Sequence, residues 1–287
     1  MKLADLVTTS VDFRRSLGMR WASDAQLLRA YCRAMGEIEV AEVTPEAVRT
    51  FLAGTGPVTT YWHQKYKTLG SFYRYAIGRE FVATSPLPTT VPTVPPALSP
   101  YIYSTPELQR LLAATAALRT SKSPSRALVC RPLLLLLYGT GMRIGEALSL
   151  TLHDVDLAQG LVTIRHAKFF KTRLVPAGPR LTQALAAYGR HRRQLPLPAG
   201  EASALRVTRT GGPLGYDSVN RWFGRLRQLA GIARERGARY QPRLHDLRHT
   251  AAVHRLVAGY RAGVDGQHRL PPLATYLGPV DIRATQR

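Results

Sequence analysis

The chain has 287 residues, and 45% of them are hydrophobic, which is enough to bury cores and argues against disorder. It carries 40 Lys and Arg residues against 18 Asp and Glu residues, a formal net charge of +22 that indicates a polyanionic partner. Its two cysteines lie far apart, which excludes a disulfide framework and fits a reducing cytoplasm. No apolar run approaches the roughly 20 residues that cross a bilayer, so we expect a cytoplasmic protein without a membrane partner.

An uncharged, proline-rich segment at residues 84–100 divides the chain, and its six prolines favour an extended connector. Residues 1–83 hold 11 basic and 8 acidic side chains, a net charge of +3. Residues 101–287 hold 29 and 10, a net charge of +19. The basic residues are spread through many segments of the larger part. This distribution predicts a folded surface that binds phosphates rather than a basic disordered tail.

The smaller part reads as a helical bundle. A capping box at Ser23 predicts one helix that ends before Gly36, and Thr44 followed by proline predicts the start of a second. A third helix is expected over residues 59–77, with Trp62 and other aromatics on a buried stripe. Its basic residues fall off that stripe, and bases among aromatics can bind a nucleic-acid backbone. We take Lys65, Lys67 and Arg74 as candidate DNA-binding residues.

The larger part predicts a mixed fold. Helices are expected from Ser104, through the leucine-rich run at 133–138, and from about Arg143. Residues 161–165 and 172–176 read as two strands around a basic turn, and helical patterns return from Leu181. The chain is therefore expected to be mainly α-helical with a small β-sheet.

Three motifs carry residues suited to phosphate chemistry. Arg143 follows a glycine turn, where its planar guanidinium could bind a phosphate or merely pair with Glu146 at the surface. Lys168 lies on the turn between the strands and could protonate a leaving oxygen, although solvated hairpin lysines are commoner. His245 and Arg248 lie three residues apart on one helical face and could hold two oxygens of one phosphate. Each pattern alone is weak.

In combination, the order of these motifs resembles the tyrosine recombinase (phage integrase) family over roughly residues 104–287. The resemblance lies in the sequences GTGMRIGEAL, KTRLVP, LHDLRHT and LATYLG. It implies a helical core-binding domain at 1–83, a linker at 84–100 and an α+β catalytic-type domain at 101–287. It also implies double-stranded DNA as partner, a homo-oligomer on DNA (a tetrameric synapse in the family), and site-specific DNA recombination and integration of a mobile element.

The resemblance implies a strand transfer that needs no metal, nucleotide or other cofactor. In the family a tyrosine attacks the scissile phosphate and forms a 3′-phosphotyrosyl link. Arg143 and Arg248 would hold that phosphate, Lys168 would be the general acid, and His245 would assist proton transfer. Two further hairpin bases, Lys171 and Arg173, join the candidate DNA-binding residues.

Two family features are not matched. Where the family has a His or Trp that hydrogen-bonds the phosphate, this chain has Pro279, which has no N–H donor. The sequence ends at Arg287, one residue before the expected tyrosine, and Tyr276 and Tyr260 read as packing residues. We therefore expect the chain as given to bind DNA without forming a covalent adduct. Two alternatives remain: a working recombinase whose chain continues beyond Arg287, and a non-catalytic DNA-binding accessory protein derived from a recombinase.

Overall fold

The computed structural model describes residues 1–19, 21–56, 58–93, 99–118, 126–165, 172–194, 200, 202–205, 212–235, 238 and 240–263. Contacts within the chain divide it into two compact units, Met1–Leu98 and Ser99–Arg287. Each unit has its own hydrophobic core. The described part is mostly helical with one small sheet, as the sequence predicts.

In its described residues the first unit is a bundle of four helices, which are α1 (Leu3–Ser16), α2 (Ala22–Met35), α3 (Pro45–Ala53) and α4 (Thr60–Ile77). The N-cap of α3 is Thr44, whose hydroxyl accepts a hydrogen bond from the Ala47 N–H, as expected for a Thr-Pro start. The N-cap of α2 is Trp21 in a left-handed conformation (φ 39°), so the predicted capping box at Ser23 is wrong. Helix α1 was not expected from the sequence pattern.

The beginning of the predicted linker packs against the first unit. The Leu87 side chain packs against the core of this unit, and the Tyr66 hydroxyl donates a hydrogen bond of 3.1 Å to the Pro88 carbonyl. An uncharged proline-rich segment can therefore serve as packing material as well as a spacer, because its apolar side chains still gain from burial.

The helices of the second unit are α5 (Thr105–Ala114), α6 (Arg126–Thr140), α7 (Ile144–Ser149), α8 (Pro179–Arg193), α9 (Tyr216–Leu229) and α10 (Asp246–Arg261). Its strands are β1 (Val155–Asp156), β2 (Leu161–Ile164) and β3 (Arg173–Pro176), which form one antiparallel sheet in the order β1-β2-β3. The two predicted strands pair as expected, with Ile164 opposite Arg173. The short strand β1 adds an edge that the sequence pattern did not indicate.

The centre of the second unit is α6, which packs against α7, α8 and α10. Its leucine-rich run is almost entirely buried, with Leu133 and Leu136 at 1% and 0% exposure. This burial explains why the run shows no amphipathic pattern: the helix has neighbours on several sides. Among the described residues, no helix combines the length and apolar character needed to cross a membrane.

Candidate active site

The turn between α6 and α7 presents Arg143. Gly141 in this turn has φ +63°, a left-handed conformation that favours glycine. Arg143 is the N-cap residue of α7, and its backbone N–H donates to Glu146 Oε2 at 2.8 Å while its Nη1 donates to Glu146 Oε1 at 3.0 Å. One carboxylate thus fixes both the backbone and the side chain of Arg143.

Glu146 also binds a second arginine, which comes from the sheet. Arg173 at the start of β3 donates from Nη2 to Glu146 Oε2 at 2.7 Å and from Nη1 to Glu146 Oε1 at 3.2 Å. Burial alone would raise the pKa of Glu146, whose side chain is 9% exposed, but the hydrogen bonds from Arg173 and Arg143 lower it overall. Glu146 is therefore an ionised carboxylate that joins α7 to the sheet.

Arg248 on α10 completes the group. Its Nη1 donates to the Gly141 carbonyl at 2.6 Å, which ties α10 to the turn that carries Arg143. Burial, followed by the positive charge of Arg143, lowers the pKa of Arg248 to about 10, and the charge of Arg173 adds to this effect. We call Arg143, Arg173 and Arg248 with Glu146 the arginine cluster; three guanidiniums around one carboxylate give it a formal charge of +2.

The glycine turn is held by a further arginine of α10. Arg255 donates from Nη2 to the Gly139 carbonyl and from Nη1 to the Ala251 carbonyl at 3.0 Å. Arg248 and Arg255 together thus use carbonyl groups at the end of α6, which lack partners inside the helix. The position of the turn that carries Arg143 is consequently set by α10.

His245 lies directly before α10, three residues from Arg248, and its side chain is exposed. Its ring contacts that of His249 edge to face, with centroids 5.2 Å apart. The surrounding protein partly desolvates the ring, and this desolvation, followed by the charges of His249 and Arg248, lowers the pKa of His245. His245 is therefore neutral at pH 7 and presents one N–H donor and one acceptor.

The buried carboxylate of Asp246 shapes the turn that holds His245. Asp246 is fully buried, and it accepts a hydrogen bond from the Arg243 backbone N–H at 2.9 Å and from Arg243 Nη2 at 3.0 Å. This contact closes the chain over residues 243–246 in the same way that Glu146 closes residues 143–146.

Several residues predicted from the sequence lie outside the described part. These are Lys168, Lys171, Tyr276 and Pro279, so their roles stay predictions. Tyr260 is described, and the prediction that it packs in the core is wrong, because it is 78% exposed near the end of α10. The strands on either side of the predicted Lys168 turn are described, and their antiparallel register agrees with a hairpin.

Two of the predicted DNA-binding residues, Lys65 and Arg173, are mostly buried and already paired, and their role in DNA binding stays a prediction. Lys65 is 7% exposed, its Nζ donates to the Phe51 carbonyl, and burial lowers its pKa, so it is part of the interior of the first unit. Arg173 is 14% exposed at its side chain and paired with Glu146, so it does not form part of the outer surface. Lys67 and Arg74 are exposed on α4, and their role in DNA binding stays a prediction.

The sequence pattern indicated Glu146 only as a surface partner for Arg143, whereas its side chain is 9% exposed. The spacing Arg-x-x-Glu at a helix start is the signal that could have identified it, because a Glu at the third helical position reaches back to the N-cap. Nothing in the sequence indicated that Arg173 would reach the same carboxylate from a strand 27 residues away.

The chain matches known proteins over most of its length. The model of the phage integrase family matches residues 104–265. The protein y4rB of Sinorhizobium fredii, whose name describes it as an integrase/recombinase, is 31% identical over 281 residues, which cover 96% of this chain and 88% of that protein. Tyrosine recombinase XerC of Bacillus subtilis is 30% identical over 199 residues, which cover 68% of this chain and 61% of that protein.

Solved structures share the fold. An integrase of the transposon Tn1549, in complex with transposon right end DNA, superposes with a TM-score of 0.71 at 17% identity and covers 99% of this chain and 93% of that one. A lambda integrase dimer bound to a COC′ core site gives a TM-score of 0.67 at 16% identity, covering 98% and 96%. The family model, which matches more than half of the chain, and the 31% identity to y4rB show that the chain belongs to the tyrosine recombinase (phage integrase) family.

Proposed function

We propose that the chain binds duplex DNA and takes part in site-specific DNA recombination, holding a backbone phosphate in the arginine cluster. The observation that carries this proposal is the surplus of guanidinium charge around Glu146, in a region of net charge +19. A formal charge of +2 on ordered side chains is suited to an anion, because the charges are already oriented before it arrives.

The described residues supply binding and electrostatic stabilisation. Arg143 and Arg248 would hold the non-bridging oxygens of the phosphate and stabilise the charge that builds up as the phosphorus becomes five-coordinate. His245, neutral at pH 7, would donate a hydrogen bond to an oxygen or pass a proton. In the family reaction a tyrosine oxygen bonds to the phosphorus, and the 5′ oxygen leaves as a hydroxyl once it receives a proton. Lys168 is our candidate for that proton.

The proposal extends to assembly and location. Relatives of this fold have been solved as a lambda integrase dimer on a core site and as a lambda integrase tetramer on a Holliday junction. These support a homo-oligomer of this chain on DNA. A cytoplasmic location is supported by the two free cysteines, Cys32 and Cys130.

Salt-dependent binding to a DNA duplex tests the proposal. We expect affinity to fall steeply with salt and the slope of log affinity against log salt to decrease by roughly one unit in Arg143→Met or Arg248→Met. The matched control is Arg131→Met, which loses the same charge from an exposed side chain that donates to the Leu112 carbonyl. Affinity that does not change between low and moderate salt would overturn the proposal. Circular dichroism verifies that each variant is folded.

A denaturing gel separates catalysis from binding alone. Duplexes recovered from a random library by repeated binding are nicked near the recovered site, labelled and incubated with the full chain. We expect binding without a labelled covalent adduct, as the accessory-protein alternative requires, and Pro279 in place of a donor favours that outcome. A labelled protein band would instead establish a recombinase able to cleave, and Tyr276→Phe and Tyr260→Phe would then identify the attacking oxygen.

A further inference from the structure

We propose that Arg173 is a positioning residue for the phosphate site: it acts through Glu146 on Arg143 and does not itself contact DNA. This inference rests on the proposed function, because it concerns how the phosphate site keeps its charge and geometry. It replaces the sequence-based prediction of Arg173 as a DNA-binding residue.

The hydrogen bonds place Glu146 between the two arginines. Arg173 donates two hydrogen bonds, one to each carboxylate oxygen, and such bidentate pairing restricts the orientation of the carboxylate. The same two oxygens accept from the backbone N–H and Nη1 of Arg143. The orientation of the Arg143 side chain therefore depends on a carboxylate that Arg173 holds in place.

Exposure separates the two arginines. The side chain of Arg143 is 32% exposed, whereas that of Arg173 is 14% exposed and that of Glu146 is 9% exposed. Arg143 can thus reach a ligand arriving from solvent while Arg173 stays behind the carboxylate. A buried guanidinium paired with a buried carboxylate is suited to support rather than to direct contact.

Charge gives Arg173 a second role. A carboxylate beside a phosphate-binding arginine would repel the phosphate and occupy the arginine. Arg173 offsets the negative charge of Glu146, so the positive charges of Arg143 and Arg248 remain available to an anion. Without Arg173 the formal charge of the cluster falls from +2 to +1, and at an effective dielectric constant of about 20 a unit charge several ångströms away changes binding by tenfold or more.

The test follows arginine side-chain signals by nuclear magnetic resonance in the full ¹⁵N-labelled chain, with inorganic phosphate as the probe. The Nε–Hε signals of Arg143, Arg173 and Arg248 are assigned by their loss in Arg→Lys variants. We expect Arg173→Met to increase the mobility of the Arg143 side chain and to weaken phosphate binding about tenfold. Arg173→Lys should restore part of the affinity, since it keeps the charge, but not the order, since it lacks the planar fork.

The matched control is Arg165→Met, which removes an arginine from another arginine–carboxylate pair of the same unit. Arg165 Nε donates to Asp154 Oδ1 at 2.7 Å, and Asp154 is as buried as Glu146. We expect this variant to leave the Arg143 signals unchanged. The double variant Arg173→Met with Glu146→Gln restores the net charge, and it should recover affinity but leave Arg143 mobile.

Two results would overturn the inference: Arg143 equally ordered in wild type and Arg173→Met, or an Arg173 signal that shifts with phosphate as strongly as that of Arg143. If Arg173→Met does not fold, the order of Arg143 in Arg173→Lys decides, and unchanged order there overturns the inference. Failure of the proposed function looks different. In that case phosphate shifts the NMR signals of neither Arg143 nor Arg248 in the wild type. The comparison of Arg143 side-chain mobility between the wild type and the variant still tests the positioning role of Arg173.

Discussion

Glu146→Gln should destabilise the second unit more than any change of a surface carboxyl group. The substitution keeps the size of the side chain but removes the negative charge that four hydrogen bonds from Arg143 and Arg173 satisfy. The new amide NH₂ would face guanidinium donors, so the two arginines would keep only one of their two shared acceptor oxygens and would lose its negative charge.

The structure sets the size of the effect. Removing one member of a buried ion pair typically costs about 3–5 kcal/mol, because the remaining charge stays buried without a partner. Here Arg143 is 32% exposed and can turn toward water, and the glutamine oxygen keeps one acceptor. We therefore expect a loss of about 2–4 kcal/mol in the free energy of unfolding.

Urea denaturation followed by Trp222 fluorescence measures this loss. Trp222 packs against the core of the second unit, whereas Trp21 and Trp62 belong to the first. Replacing both of the latter by Phe in the wild type and in the variant leaves a signal from the second unit alone. Asp217→Asn, an exposed carboxyl group on α9, is the matched control and should change stability by no more than about 0.5 kcal/mol.

The pH dependence gives the prediction a second check. The pKa of Glu146 is lower in the folded chain than its ordinary value of about 4.3, so its contribution is full above that value and is lost as the pH falls through the folded pKa. The difference in the free energy of unfolding between the wild type and Glu146→Gln should be constant from about pH 7 to 5 and should decrease below about pH 4.5. A gap under 0.5 kcal/mol at pH 7 would refute the role of Glu146 as the common acceptor.

Two further predictions concern the first unit. Lys65→Met should change stability but leave DNA affinity within about twofold, because Lys65 Nζ binds the Phe51 carbonyl. Lys67→Met, on the exposed face of α4, should lower the salt slope of DNA binding by roughly one unit. Equal salt slopes for the two variants would contradict the prediction that the exposed face of α4 binds DNA. Tyr31→Phe should cost about 1–2 kcal/mol in urea denaturation, because it leaves the Tyr73 hydroxyl buried without its partner at 2.7 Å. The double variant with Tyr73→Phe should be less destabilised than the sum of the two single variants, and strict additivity would exclude the pairing as the cause.

Local signals in the sequence predicted much of the fold. Thr44 and Ser104 mark helix starts because their side chains cap backbone N–H groups nearby in the chain. The alternation around Val162 and Val175 predicted paired strands, since both are buried on one face of the sheet. Helix α1 was missed, and its buried residues pack against helices that only the tertiary structure brings near.

The site was predicted less completely than the fold. Arg143, His245 and Arg248 stand in recognisable motifs, so the family resemblance identified them as candidate site residues. The burial of Lys65 and the pairing of Arg173 with Glu146 could not be predicted, because each depends on a contact between two different elements whose packing the local pattern does not show. A basic residue beside a motif can equally be a ligand contact or a support, and only the distance to a carboxylate or carbonyl decides between them.

Protection of arginines from phenylglyoxal tests the central claim most directly. This reagent attacks the neutral guanidine, and the lowered pKa of Arg248, about 10 because of burial and the charge of Arg143, increases the share of that form. Peptide mass spectrometry follows modification at each arginine with and without saturating duplex DNA, and Arg131 reports general access of the reagent. We predict that DNA slows modification of Arg143 and Arg248 at least about tenfold. Equal rates at both arginines with and without bound DNA would contradict a phosphate held in the arginine cluster.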